Sequence, residues 1–228
     1  MAYPKSPWTL KGFVVGTLHW IDSAAVRSLL PSECQLVEIL PGKTLASVYL
    51  AKYEDGSALT YSELILFPGL VRYRGHQGVW ISHIYVDNPD SMAGGREIWG
   101  LPKEMAEFRW ESSDRQRVTV FQGEQTLLRL DYQRSFGDLP LRGKLHGYSI
   151  LEPALLQFAI RGRGWIGLVG STLDIPASSP LAKLPLSQRK LTYRCSNARL
   201  TVEAPESVGN SQFSREKAIA SLGINTLR

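Results

Sequence analysis

Cysteine is scarce: 228 residues carry only Cys34 and Cys195. They stand far apart with no metal-like companions, which excludes a disulfide framework and offers no zinc spacing. Long apolar runs are missing as well. No stretch approaches the ~20 apolar residues that span a bilayer, and the opening MAYPKSPWTLKGF lacks the apolar core of a signal peptide. The chain therefore reads as cytoplasmic, in a reducing compartment. No Walker loop, GxSxG, HExxH or strand-borne Rossmann fingerprint is present, so nucleotide cradles, serine-hydrolase elbows and zincin chemistry are not indicated. His19, His76 and His146 show no metal-ligand spacing. Nothing resembles a low-complexity linker, so residues 1–228 are read as a single domain.

The formal charge is +5, which favours anionic partners in general. The basic residues are dispersed, though, and neither RGRG (161–164) nor QRKLTYR (188–194) is accompanied by an aromatic RNP motif or a zinc-finger spacing. Nucleic acid is not expected as a partner.

What the chain has is period-two alternation. In MAEFRWES, Ala106, Phe108 and Trp110 share one face, while Glu107, Arg109 and Glu111 share the other, the pattern of a half-buried antiparallel strand. RVTVFQGEQTLLRLDY predicts a hairpin turning at Gln122–Gln125, and KLTYRCSNARLTVEA another turning at Ser196–Asn197. GFVVGTLHW, CQLVEIL, TLASVYLAKY, LTYSELILF and GVWISHIYV supply further strands. Helix signals are short: AAVRSLL after Asp22 or Ser23, a segment capped by Asn88-Pro89 and ending near Trp99, and REKAIASL after Ser214. The expected fold is mainly β, a large antiparallel sheet that closes or folds over on itself, with helices on its rim.

Within the chain, Lys103 stands out. It follows a helix stop at Gly100-Leu101-Pro102 and heads the KEMAEFRW strand, among Ile98, Trp99, Leu101 and Met105. One reading is a solvated lysine at a strand end. The other is a nucleophile, since desolvation disfavours an ammonium and a neutral amine attacks carbonyls to form a Schiff base. The second reading needs a nitrogen hidden from bulk water, uncharged part of the time and facing a chamber. A nitrogen on the outer rim, bathed in solvent or locked to an acid, would end it. Glu63 shares a face with Tyr61, Ile65 and Phe67, so it lines a pocket, pairs with a cation or marks a wet face. Arg96 and Glu97 form a helix-surface pair, or Arg96 reaches a substrate carboxylate or clamps Glu63. His83 reads as a hydrogen-bonded core histidine or a ligand.

The segment HIYVDNPDSMAGGREIWGLPKEMAEF resembles the central motif of the acetoacetate decarboxylase superfamily, and the similarity runs more weakly from about Leu10 into the C-terminal region. GKTLASVYLAKYEDGSALTYSEL and GREIWGLPKEMAEF look more particularly like cyanobacterial members and a plant relative linked to neoxanthin. The resemblance implies a large, cone-like β-barrel assembled into homo-oligomers. It implies Lys103 as the Schiff-base lysine, Glu63 as the acidic residue beside it, Arg96 and Glu97 as the Arg-Glu of the helix, and Tyr61 and His83 near the substrate, with no metal or organic cofactor. Where the decarboxylase has a second lysine, an arginine and another acid, this chain has Glu104, Gly12 and Val48, with Lys11 as a candidate replacement for the arginine. Two functions follow. One is a cofactor-free lyase acting on a small oxo-acid or related carbonyl compound. The other is a non-decarboxylating or non-catalytic member that binds an apolar ligand in carotenoid metabolism.

Overall fold

The computed structural model describes residues 3–112, 116–133, 137–184, 186 and 190–214. Strands dominate, as the alternation requires. The first half holds β1 (Trp8–Asp22), β2 (Gln35–Leu36), β3 (Lys43–Tyr53), β4 (Tyr61–Phe67), β5 (Leu70–Tyr73), β6 (His76–Trp80) and β7 (His83–Val86). The second holds β8 (Lys103–Met105), β9 (Glu107–Ser112), β10 (Gln116–Gln122), β11 (Gln125–Tyr132), β12 (Leu139–Leu151), β13 (Ala154–Leu168), β14 (Ser171–Asp174), β15 (Lys190–Val202) and β16 (Glu206–Asn210). Helix α1 (Ser23–Val26) is one turn long, and α2 (Pro89–Trp99) is the longest helix described.

Two sheets form. The larger runs β2-β5-β6-β12-β13-β15-β1-β3-β4-β7-β8, with β16 beside β13; the smaller runs β14-β11-β10-β9. Its two ends, β2 and β8, are not paired with each other among the described residues, so the ladder stays open and the closed barrel expected from the sequence is not formed by the pairing. Most neighbours are antiparallel; β6–β12 and β7–β8 are parallel. A parallel pair needs a crossover connection, and α2 provides it between β7 and β8.

Alternation on β3 and β4 sorts side chains between two layers. Val48, Leu50, Leu64 and Leu66 face the smaller sheet and join Val118, Val120, Leu128 and Leu130 in the main core. The opposite face of the same strands carries Tyr49, Tyr53, Tyr61, Glu63, Ile65 and Phe67 toward a chamber. The chain crosses from one sheet to the other at Ala106, between β8 and β9.

Three local expectations change. GVWISHIYV breaks at Ile81-Ser82, where the Ser82 N–H and hydroxyl both bond the Leu66 carbonyl, leaving β6 to pair with β12 and β7 with β4. CQLVEIL yields only the two-residue β2. KLTYRCSNARLTVEA does not reverse at Ser196–Asn197. Asn197 takes a left-handed φ of 50°, a conformation asparagine tolerates, and the chain continues as β15 past register shifts facing Gly12/Val14 and Arg163/Trp165. The hairpin at Gln122–Gln125 does form, with Gly123 at φ 59°. The helix expected after Ser214 lies outside the described residues. No helix among those described is long and apolar enough to cross a membrane.

Helix α2 is punctuated as its sequence directs. The Asn88 side chain accepts hydrogen bonds from the Asp90 and Ser91 N–H groups at 2.9 and 3.0 Å, Pro89 occupies the first turn, and Gly100 ends the helix in the left-handed region at φ 59°. Replacing Asn88 with Ala should cost about 1 kcal/mol of stability. Urea unfolding of Asn88→Ala beside Asn88→Asp checks this; equal losses in the two variants would show that capping is not the cause.

Candidate functional site

Lys103 and Glu63 arrive at the same place from different strands. Ile84 of β7 pairs with Lys103 on one side, and Val86 of β7 pairs with Glu63 of β4 on the other. Glu63 and Lys103 therefore lie two strands apart in one sheet. Lys103 Nζ is 2.9 Å from Glu63 Oε1 and donates to Ser91 Oγ of α2, also at 2.9 Å. Both residues are buried, with 2% of Lys103 and 4% of Glu63 exposed. The Tyr61 and Trp8 ring centroids are 4.9 and 5.7 Å from the ammonium nitrogen, within range of cation–π attraction.

The lysine's aliphatic stem passes over Gly95. A Cβ there would sit 2.5 Å from Lys103 Cδ and 2.6 Å from Cε; at Gly94 it would meet the Trp8 ring at 2.7 Å. The paired glycines thus let the stem and the indole press against the helix. Trp8 is held by a 2.8 Å bond from its Nε1 to the Pro4 carbonyl and packs edge-on against Trp99 with centroids 4.9 Å apart.

A tyrosine cluster completes the polar end. Tyr53 and Tyr61 donate to Glu63 Oε2 and Oε1 at 3.2 and 3.4 Å, and the Tyr49 and Tyr53 hydroxyls are 2.9 Å apart. Burial, reinforced by the Glu63 charge, raises all three phenols well above their ordinary value of 10.0. They stay neutral and able to donate hydrogen bonds.

These groups line one chamber of about 290 Å³. Apart from Ser47 and Tyr193, the rest of its wall is apolar, including Leu10, Ile65, Phe67, Ile84, Phe158 and Leu200, and Lys103 is the one cation among its described lining residues. Among the described residues, no group of three or more His, Cys, Asp or Glu side chains is placed to hold a metal ion.

Of the six residues expected from the sequence, the structure brings Lys103, Glu63 and Tyr61 together at the chamber. Lys103 is hidden and faces the chamber, as the nucleophile reading requires, but it is also paired with an acid, the feature set against that reading. The other three are placed elsewhere. Arg96 is exposed, outside the chamber lining, and its Nε donates to the Lys103 backbone carbonyl at 2.7 Å, so it does not clamp Glu63. Glu97 is exposed and accepts a hydrogen bond from the Tyr3 hydroxyl. His83 is buried with Nδ1 2.9 Å from Ser82 Oγ, and it is Ile84 that β7 turns to the chamber, because alternation sends His83 to the other face.

The departures resolve similarly. Val48 belongs to the main core, and Ser47 and Tyr49 take the chamber face of β3. A side chain at Gly12 would run into the Lys52 carbonyl at 2.0 Å, and the Lys11 amine lies beside Gly56, outside the chamber wall. Glu104 points away from Lys103 and accepts from Gln122 Nε2 at 3.2 Å. Sequence reading missed Ser91, Trp8, Tyr49 and Tyr53. For Ser91 a signal existed: it stands three residues after the Asn88 cap, on the helical face shared with Gly94 and Gly95.

The protein-family model described as acetoacetate decarboxylase (ADC) matches residues 1–149. Protein NEOXANTHIN-DEFICIENT 1 of Solanum lycopersicum is 34% identical over 108 residues, 47% of this chain and 36% of that protein. Acetoacetate decarboxylase of Acidiphilium cryptum is 47% identical over 108 residues, 46% of this chain and 41% of that protein. The matches thus span well under half the length of these relatives. Among solved structures, acetoacetate decarboxylase from Legionella pneumophila superposes with a TM-score of 0.75 at 17% identity, covering 92% of this chain and 90% of that one. The enduracididine biosynthesis enzyme MppR complexed with pyruvate gives 0.68 at 15% identity, covering 92% and 93%. At such identities these superpositions speak for the fold alone.

Two predictions follow from the site's geometry. Gly95→Ala should push the Lys103 stem aside and separate the buried pair, lowering stability by about 3 kcal/mol, even though alanine is the better helix former by about 1 kcal/mol. A denaturant curve showing Gly95→Ala to be stabilised would refute the contact. The raised phenols give a second. The unfolded chain ionises tyrosine near pH 10 and the folded chain later, so their contribution to stability is complete below about pH 10 and is lost above it. Ultraviolet titration should show Tyr49, Tyr53 and Tyr61 ionising only as near-ultraviolet dichroism is lost; all nine tyrosines ionising near pH 10 in a native spectrum would contradict this.

Proposed function

The chain belongs to the acetoacetate decarboxylase family, and from that premise we propose that it is a cofactor-free enzyme, one domain over residues 1–228, in which Lys103 forms a Schiff base with a small oxo-acid or related carbonyl substrate. The observation that carries the reading is the Lys103 Nζ–Glu63 Oε1 contact of 2.9 Å, buried and facing the chamber.

The pairing with an acid is the obstacle such a mechanism must pass. A protonated amine has no lone pair to offer, and Glu63 supplies the way out. Transfer of one proton from Nζ to the carboxylate leaves a neutral amine beside a neutral acid, with no net charge moved out of the chamber. The amine attacks the carbonyl carbon to give a carbinolamine. Glu63 returns its proton to the departing hydroxyl, water leaves, and a protonated imine remains opposite a restored carboxylate. With a β-keto acid, the bond to the carboxylate breaks next, its electron pair moves into the iminium to give an enamine, and carbon dioxide departs. Protonation at carbon and hydrolysis regenerate Lys103. Ser91 and the Tyr61 ring hold the amine in place, and Tyr53 and Tyr61 fix the carboxylate.

A second reading, a non-catalytic protein that binds an apolar ligand in carotenoid (xanthophyll) metabolism, draws on the apolar chamber wall and on the NEOXANTHIN-DEFICIENT relatives. Under it the ion pair is a structural anchor. In either reading we take the assembly as a homo-oligomer, for which Leu139, Leu141 and Leu168, 73%, 52% and 63% exposed, supply uncovered apolar surface.

Borohydride reduction in the presence of a panel of keto acids and neutral carbonyl compounds should leave a covalent adduct on Lys103. Removing only the lysine would strand a buried carboxylate at a cost of about 3–5 kcal/mol, so the control is the double variant Lys103→Met/Glu63→Gln. Intact-mass spectra with no adduct from any compound would reject the Schiff-base reading in favour of the second.

A further inference from the structure

We propose that the carbonyl compound received by Lys103 is a neutral aldehyde or ketone with an extended apolar body, and not an oxo-acid carrying a free carboxylate. The inference rests on the Schiff-base reading and deepens it by naming the substrate class.

Charge balance in a largely apolar chamber points to this class. The chamber holds one ion pair, Lys103 and Glu63, while its tyrosines stay neutral. When Lys103 becomes an iminium it keeps a single positive charge, and Glu63 already neutralises it. The carboxylate of a small keto acid, held close to its carbonyl, would be a third charge, without a cation of its own, beside Glu63 in a mostly apolar wall, and burying an unpaired charge is strongly unfavourable. No other cation among the described residues lines the chamber. Lys11 lies beside Gly56, Gly12 has no room for a side chain, and Arg96 is spent outside on the Lys103 carbonyl.

Size and polarity agree. About 290 Å³ equals roughly ten waters at about 30 Å³ each, more than the minimal keto acids require. Most polar atoms gather at one end, where Glu63 and Tyr61 meet the amine and Tyr53 and Tyr49 extend the hydrogen-bond chain from Glu63. Away from it, Ser47 and Tyr193 add a hydroxyl pair to a wall otherwise made by Leu18, Leu45, Leu70, Val79, Leu145 and Leu200. A molecule with one carbonyl head and a hydrocarbon body matches that division.

Without a carboxylate to lose, the iminium acts on the neighbouring C–H bond. The Glu63 carboxylate accepts the α-proton, the C–H electron pair becomes the enamine double bond, and the nitrogen becomes neutral. Return of a proton from Glu63 to the same carbon, then hydrolysis, restores ketone and amine. In heavy water, the Glu63 acid proton exchanges with solvent before its return, and the carbon receives deuterium.

The test compares 2-decanone with 2-oxodecanoate, which differ by a methyl group in place of the carboxylate, and includes acetoacetate. Borohydride trapping on Lys103 is measured for each, divided by that compound's trapping by a free alkylamine. Deuterium exchange beside the ketone of 2-decanone is followed in parallel. The expected result is at least tenfold preference for 2-decanone, with exchange abolished in Lys103→Met/Glu63→Gln. Equal or better trapping of 2-oxodecanoate or acetoacetate overturns this inference and leaves the Schiff-base reading standing. No adduct from any of the three, while 2-decanone still quenches the fluorescence of Trp8 and Trp99 at the chamber wall, overturns both and leaves a binding chamber.

Discussion

The buried contact between Lys103 and Glu63 is the constraint around which the rest of the site is arranged. Two opposite charges removed from water recover their lost hydration only through close approach and further hydrogen bonds. Each surrounding feature answers that demand. Ser91 accepts from the ammonium, Tyr53 and Tyr61 donate to the carboxylate, and two aromatic rings face the cation. The backbone is committed as well, because the stem reaches Glu63 only where α2 offers no side chain, at Gly95.

The same contact explains why this stretch of chain is wound as it is. β7, α2 and β8 make a parallel crossover, so the helix must end abruptly and send the chain back beside β7. Gly100 supplies the left-handed turn, and the Arg96 guanidinium ties the last turn of the helix to the carbonyl of Lys103. A surface arginine thus acts on the amine through the backbone and not through space. Glu97 has an analogous outer task, holding Tyr3 and with it the N-terminal segment that carries Trp8 over the amine.

Much of this was legible in the sequence where it depended on local rules. Alternation placed Tyr61, Glu63, Ile65 and Phe67 on one face and Ser62, Leu64 and Leu66 on the other, and the structure divides them in that way between chamber and core. The caps of α2 and the hairpin at Gly123 followed from residue type. What was not legible depended on partners distant in sequence. Asn197 looks like a turn until β1 and β13 are seen on both sides of β15. Val48 and Tyr49 differ by one position, and only the register of β3 decides which one faces the chamber. Arg96 and His83 belong to motifs that point toward a ligand, yet their side chains are engaged elsewhere. Trp8, from the far end of the chain, gave no local sign of its place.

Part of the chamber wall is made by side chains that touch neither the amine nor its acid. Leu18, Leu45, Leu70, Val79, Leu145 and Leu200 come from β1, β3, β5, β6, β12 and β15, whereas Glu63, Ser91, Gly95 and Lys103 come from β4, α2 and β8. Those six positions can therefore change, and with them the shape of the chamber, while the Lys103–Glu63 contact stays in place, so one scaffold can vary what it encloses without rebuilding its polar end.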